Sequence, residues 1–132
     1  MTDAARKYAQ EKLAKKDYSC AKEYTLSMFS GKYKIVIIYH LFHDGTLRFS
    51  QIQKILDDAT HKMLAQQLKE MIDDGIVSRR EDLQNNRKAV YYSLTPLGES
   101  LMPIVESMFS WGKERLADLD LENRFKAEGK VV

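Results

Sequence analysis

One uninterrupted order of elements between residues 34 and 95 constrains this chain more than anything else in it. Arg48–Leu56 carries a short helical pattern, with Phe49, Ile52, Ile55 and Leu56 forming an apolar stripe. Asp57-Asp58-Ala59 leads from it into Thr60–Asp74, a second helix whose apolar face is Leu64, Leu68, Met71 and Ile72. Thr60 stands where an N-cap is wanted, and Gly75 where the chain must turn left-handed to end a helix. Two strands follow, Ile76–Leu83 and Ala89–Thr95, with Val90, Tyr92 and Leu94 inward against Tyr91 and Ser93. Gln84-Asn85-Asn86-Arg87-Lys88 is the turn between them.

Helix, turn, helix and charged hairpin in that order predict a winged helix-turn-helix, mainly α with a small β-hairpin. Before it, Lys32–Phe42 is apolar nearly all round, through Tyr33, Ile35, Val36, Ile37, Ile38, Tyr39, Leu41 and Phe42, and so predicts a core helix ending at His43-Asp44-Gly45. A further helical stretch starts near Ala21, and residues 3–16 carry weaker helical spacing. After the strands, Thr95 caps and Pro96 opens a last helix striped by Leu97, Leu101, Ile104, Val105, Met108, Trp111 and Leu116. That stripe outruns what a small core can cover, so a homodimer is expected. The expected organisation is an N-terminal helix over 1–19, the winged helix-turn-helix over 20–95, a C-terminal dimerisation helix over 96–121 and a frayed tail over 122–132.

Length and composition narrow the alternatives. At 132 residues the chain fits one domain, and 44% hydrophobic with 30% charged residues is ordinary for a globular protein. No apolar run approaches the roughly 18 residues of a membrane span, and the N-terminus lacks the apolar stretch of a secretory signal, so a cytoplasmic protein without a membrane partner is expected. A net charge of +2 is too balanced to argue for a nucleic-acid partner without regard to where the charges lie. A single cysteine, Cys20, leaves no intramolecular disulfide framework and no cysteine-rich zinc site. His40 and His43 lie i, i+3 with Asp44 next, and no further ligand follows at suitable spacing, so no metal or other cofactor is expected. Neither a clustered nucleophile, base and acid nor a phosphate-cradling glycine loop occurs, which argues against an enzyme.

Several blocks then carry a family resemblance: Cys20 with Glu23-Tyr24-Thr25-Leu26, Ser30-Gly31-Lys32-Tyr33-Lys34, Leu47-Arg48-Phe49, Lys62-Met63-Leu64-Ala65-Gln66-Gln67-Leu68 and Leu94-Thr95-Pro96-Leu97-Gly98. In this order, over about Cys20 to Trp111, they resemble the HxlR-type transcriptional regulators. The resemblance implies a prokaryotic, homodimeric winged-helix regulator related in architecture to MarR-type proteins, with dimer contacts from the terminal helices. It also implies that a cysteine just before the first core helix senses electrophiles, quinones or oxidants in some members. The chain departs from the family pattern at Cys20-Ala21, where Cys-Pro is common, and at Ser30-Gly31-Lys32-Tyr33, where Gly-Gly-Lys-Trp is common. It departs again in the wing, which lacks the frequent proline.

The candidate sites follow. On the second helix His61, Lys62 and Gln66 face base edges in a major groove, while Thr60, Gln67 and Lys69 serve phosphates or packing. A merely solvated helix face has the same composition, and it is the helix-turn-helix context that favours DNA. On the hairpin Arg79, Arg80, Arg87 and Lys88 offer positive charge to phosphates, with Glu81 and Asp82 intervening. Of these, Arg87 and Lys88 at the tip and Arg79 are the contacts expected. Cys20 has Lys16, Lys22 and Lys32 near it in sequence, which favours a reactive thiolate, although a half-buried cysteine acting as a small hydrophobe is the commoner case.

These readings describe a dimeric DNA-binding transcription regulator. It would use 60–74 as recognition helix and 84–88 as wing tip on a pseudo-palindromic operator, switched by thiol chemistry at Cys20 or by a small-molecule effector. The rival is a winged-helix protein-interaction module that binds no DNA.

Overall fold

The structure, a computed structural model, describes residues 7, 10, 11 and 21–121. Most of the expected N-terminal helix, Cys20 and the tail after 121 lie outside those residues. Over residues 21–121 six helices and three strands follow one another: α1 (Ala21–Met28), α2 (Lys34–Asp44), β1 (Leu47–Arg48), α3 (Phe49–Ile55), α4 (His61–Asp73), β2 (Val77–Gln84), β3 (Arg87–Leu94), α5 (Pro96–Glu99) and α6 (Met102–Asp118).

The apolar spacing read from the sequence meets in one core. Ile37, Ile38 and Leu41 of α2, Ile52 of α3 with Leu56, and Leu64, Leu68 and Met71 of α4 close over Ile76, just before β2, and over Val77 and Tyr92 of the sheet, with Met102 and Val105 from α6. Burying an aliphatic side chain of this kind contributes about 1.5–3 kcal/mol, so the stripes dominate the assembly of the helices. Ile55 is the exception in the α3 stripe and sits exposed at the rim.

The core helix begins two residues later than its hydrophobicity suggests. Ser30–Tyr33 forms a separate turn, and the Tyr33 backbone N–H, at the N-cap of α2, donates to Gln67 Oε1 of α4 at 2.9 Å. One residue on, Lys34 is fully buried and its Nζ lies 2.5 Å from Glu70 Oε2. Two polar links thus join the start of α2 to successive turns of α4.

The sheet is antiparallel with order β1-β3-β2. Leu47 pairs with Tyr92 and Arg48 with Tyr91, while β2 and β3 pair from Val77–Leu94 out to Gln84–Arg87. The hairpin is therefore tighter than the five-residue turn expected: only Asn85 and Asn86 are outside the ladder, both at positive φ (52° and 64°). That is the geometry of a type I′ turn, whose twist matches the strands, and asparagine is among the few side chains that adopt it readily. Gln84, Arg87 and Lys88, expected in the turn, are ladder residues.

The last helix is divided. Thr95 caps α5 by accepting from the Gly98 N–H at 3.1 Å, and its hydroxyl donates to the Gly75 and Ile76 carbonyls, tying α5 to the start of the wing. Ser100-Leu101 then separates α5 from α6, because Pro103 has no N–H to give to Glu99 and its ring would crowd that carbonyl. The second segment packs on α2 through Tyr39 and Phe109, stacked at 5.1 Å, and through His43 Nε2 and Glu106 Oε1 at 2.7 Å. Leu97, Ile104, Met108 and Trp111 are left exposed. Among the described residues no helix is long and apolar enough to cross a membrane.

Candidate nucleic-acid interface

The second helix of the helix-turn-helix is built for rigidity. Thr60 Oγ1 accepts the Met63 N–H at 3.1 Å, a cap typically contributing about 1 kcal/mol. At its other end the chain leaves through Gly75 at φ +80°, the left-handed conformation that glycine tolerates best. The helix before it is fixed at its own start, where Gln51 Oε1 accepts the Arg48 N–H at 2.8 Å, and Gln53 Nε2 donates to the Ala59 carbonyl at 2.6 Å across the intervening turn.

With the apolar stripe of α4 buried, Lys62, Gln66 and Lys69 occupy the solvent face, joined by Met63, which the sequence reading passed over. No described carboxylate pairs with Lys62 or Lys69. His61 is exposed, and its ring rests on Phe49 at 4.5 Å, so α3 sets its orientation. Thr60 is engaged as the cap. Gln67, expected toward phosphates or packing, accepts the Tyr33 N–H at its Oε1, a packing contact between α4 and the start of α2.

The wing charges divide into two groups. Arg79 Nη1 lies 2.6 Å and Lys88 Nζ 3.0 Å from Glu81 Oε1, and Arg80 pairs with Asp82. Lys88 first and then Arg79 hold the Glu81 carboxyl below its ordinary range, while Glu81 raises Arg79 further. Three of the four hairpin cations thus have intra-wing partners, and such exposed pairs contribute little to stability. Arg87 has none among the described residues.

A further cation stands beside the wing, and the sequence reading gave it no role. Arg48, in the ladder opposite Tyr91, shares the sheet face of Arg87, Ala89 and Tyr91 and has no described carboxylate partner. Its signal in the sequence was only an arginine at a strand-to-helix junction, where nothing tells that β3 lies alongside.

The family model of the HxlR-like helix-turn-helix matches residues 28–120. The chain belongs to the HxlR family. The protein MalR of Fusobacterium mortiferum is 47% identical over 100 residues, 76% of this chain and 93% of that one. The uncharacterised HTH-type transcriptional regulator YdzF of Bacillus subtilis is 41% identical over 90 residues, 68% and 82% of the two chains. Among solved structures, the redox regulator HypR in its reduced form superposes with a TM-score of 0.70 at 39% identity, covering 76% of this chain and 98% of that one. Its oxidised form gives 0.67 at 41% identity, covering 72% and 96%. HxlR membership makes this chain a helix-turn-helix protein of transcription regulation with a MarR-like fold, in the company of regulators rather than enzymes.

Proposed function

We propose that this HxlR-family chain is a dimeric, cytoplasmic, DNA-binding transcriptional regulator that places α4 in the major groove and its wing on the flanking backbone. The observation that carries the reading is the exposed row Lys62, Gln66 and Lys69 on a doubly anchored helix, its cations without carboxylate partners among the described residues. Lysine and glutamine supply the donors and acceptors that base edges and phosphates recognise. The exposed apolar side chains of α5 and α6 support pairing through a two-fold axis, which would present two copies of α4 to a pseudo-palindromic operator.

For regulation we infer thiol chemistry at Cys20, which directly precedes α1 in sequence, with a small-molecule effector as the other route. Support comes from the lysines around it in the sequence and from the likeness to a regulator solved in reduced and oxidised forms. With one cysteine in the chain, oxidation would join two subunits or capture a small thiol, and an electrophile would alkylate Cys20 directly.

Mobility shift against DNA flanking the protein's own gene, at two salt concentrations and with or without diamide, tests the whole reading. A specific complex that weakens with salt is expected, with affinity changed by diamide in the native chain and not in Cys20→Ser. Absence of binding to any such duplex would favour a protein-interaction module, and an unaltered diamide response in Cys20→Ser would remove the switch.

A further inference from the structure

Arg48 and Arg87 line one open cleft of about 480 Å³ together with Gln84, Asn85 and Ala89. The cleft arises from the strand register. Strand β1 stops at Arg48, opposite Tyr91, so the outer half of β3 has a free edge. On that face the next β3 residues toward the tip are Ala89 and Arg87, and the small Ala89, buried at the floor, leaves the gap between the two arginines. Tyr91 supports the rim: the Arg48 guanidinium stands over its ring at 5.9 Å, and its hydroxyl accepts from Gln84 Nε2 at 3.2 Å. The carboxylate on the neighbouring strand, Asp82 opposite Ala89, is held by Arg80.

We propose that this cleft is a phosphodiester clamp, in which Arg48 and Arg87 grip one phosphate of the DNA backbone from two sides. The inference rests on the DNA-binding reading and adds to it a residue, Arg48, and a division of labour. Two guanidinium groups without carboxylate partners among the described residues converge on one space, whereas Arg79, Arg80 and Lys88 are occupied within the hairpin. Arginine suits the task because its planar fork meets phosphate oxygens bidentately. A phosphate held there carries no sequence information; it sets the register of α4 on the duplex.

The test is fluorescence anisotropy of the full chain with its operator and with an unrelated duplex, over a salt series. Arg48→Gln should weaken both complexes alike and lower the slope of log K against log salt by about 0.9 for each bound copy. Arg48→Lys should keep the slope, and Ala89→Leu should weaken binding by filling the cleft without altering charge. Operator binding by the native chain with unchanged affinity and slope in Arg48→Gln overturns the clamp alone. Failure of the native chain to bind either duplex overturns the regulator reading and the clamp with it. Loss confined to the operator would make Arg48 a base-reading residue and would also overturn the clamp.

Discussion

Lys34 and Glu70 form an ion pair of 2.5 Å between the first turn of α2 and the last turns of α4, with the lysine fully buried. The pair fixes α4 to the core helix from beneath, and the neighbouring Tyr33–Gln67 hydrogen bond does the same one turn earlier. An ammonium out of water is tolerated only beside its carboxylate, so the pair specifies one register of α4 on α2.

Removing one partner should therefore cost much more than removing both. Glu70→Ala leaves the ammonium buried without its carboxylate and should destabilise by about 3 kcal/mol or more, a fall in Tm on the order of 10 °C. Lys34→Met combined with Glu70→Leu should recover most of that loss. Thermal melts of the three variants decide it: a double variant as unstable as Glu70→Ala would show that the pair itself is the stabilising element.

Glu81 holds two wing cations away from other work. Glu81→Gln should free Arg79 and Lys88 for phosphates, tightening DNA binding and steepening the salt slope by up to about 0.9 for each new contact. The depressed carboxyl means the pairs are present at neutral pH and are lost only as pH falls through that lowered value, so binding near neutrality should not vary through this group. Titration of the variant across salt concentrations gives the answer, and a slope equal to the native one would refute the expectation.

Gly98 sits where no side chain fits. A Cβ there would lie 2.3 Å from the Ile76 carbonyl oxygen, a backbone atom that cannot step aside. Gly98→Ala should force α5 off the sheet and cost about 1–3 kcal/mol in denaturant unfolding. A melt indistinguishable from the native chain would mean that the Thr95-capped turn is looser than its hydrogen bonds indicate.

Trp111 is 70% exposed on α6, in line with Met108 and Ile104. The proposed dimer should become a monomer in analytical ultracentrifugation on the double change Met108→Ser and Trp111→Ser, without a lower Tm at low protein concentration. It should also weaken operator binding, because each half-site would then be bound alone. A variant that stays dimeric would place the interface elsewhere.

The sequence by itself determined the order of elements, the caps and the turn chemistry, because these depend on neighbours in the chain. Leucine and isoleucine at helical spacing select the face of α4, Thr60 starts it, Gly75 ends it, and Asn85-Asn86 accept the positive φ of the hairpin whatever lies around them. The family blocks named the fold class for the same reason, since they are local strings in a fixed order.

What only the tertiary structure decided involves residues far apart in sequence. Whether Gln67 meets DNA or packing depends on the Tyr33 N–H arriving from α2, and whether Lys34 is a surface lysine or a buried one depends on Glu70, 36 positions away. Arg48 and Arg87 become neighbours only because β1 pairs with β3 and stops there, and Glu81 claims Arg79 and Lys88 only once the strand register is set. Composition and periodicity show which side chains a surface will hold. Which of its charges remain without a partner is settled by long-range pairing, because electrostatic and hydrogen-bond partners are chosen by distance in space.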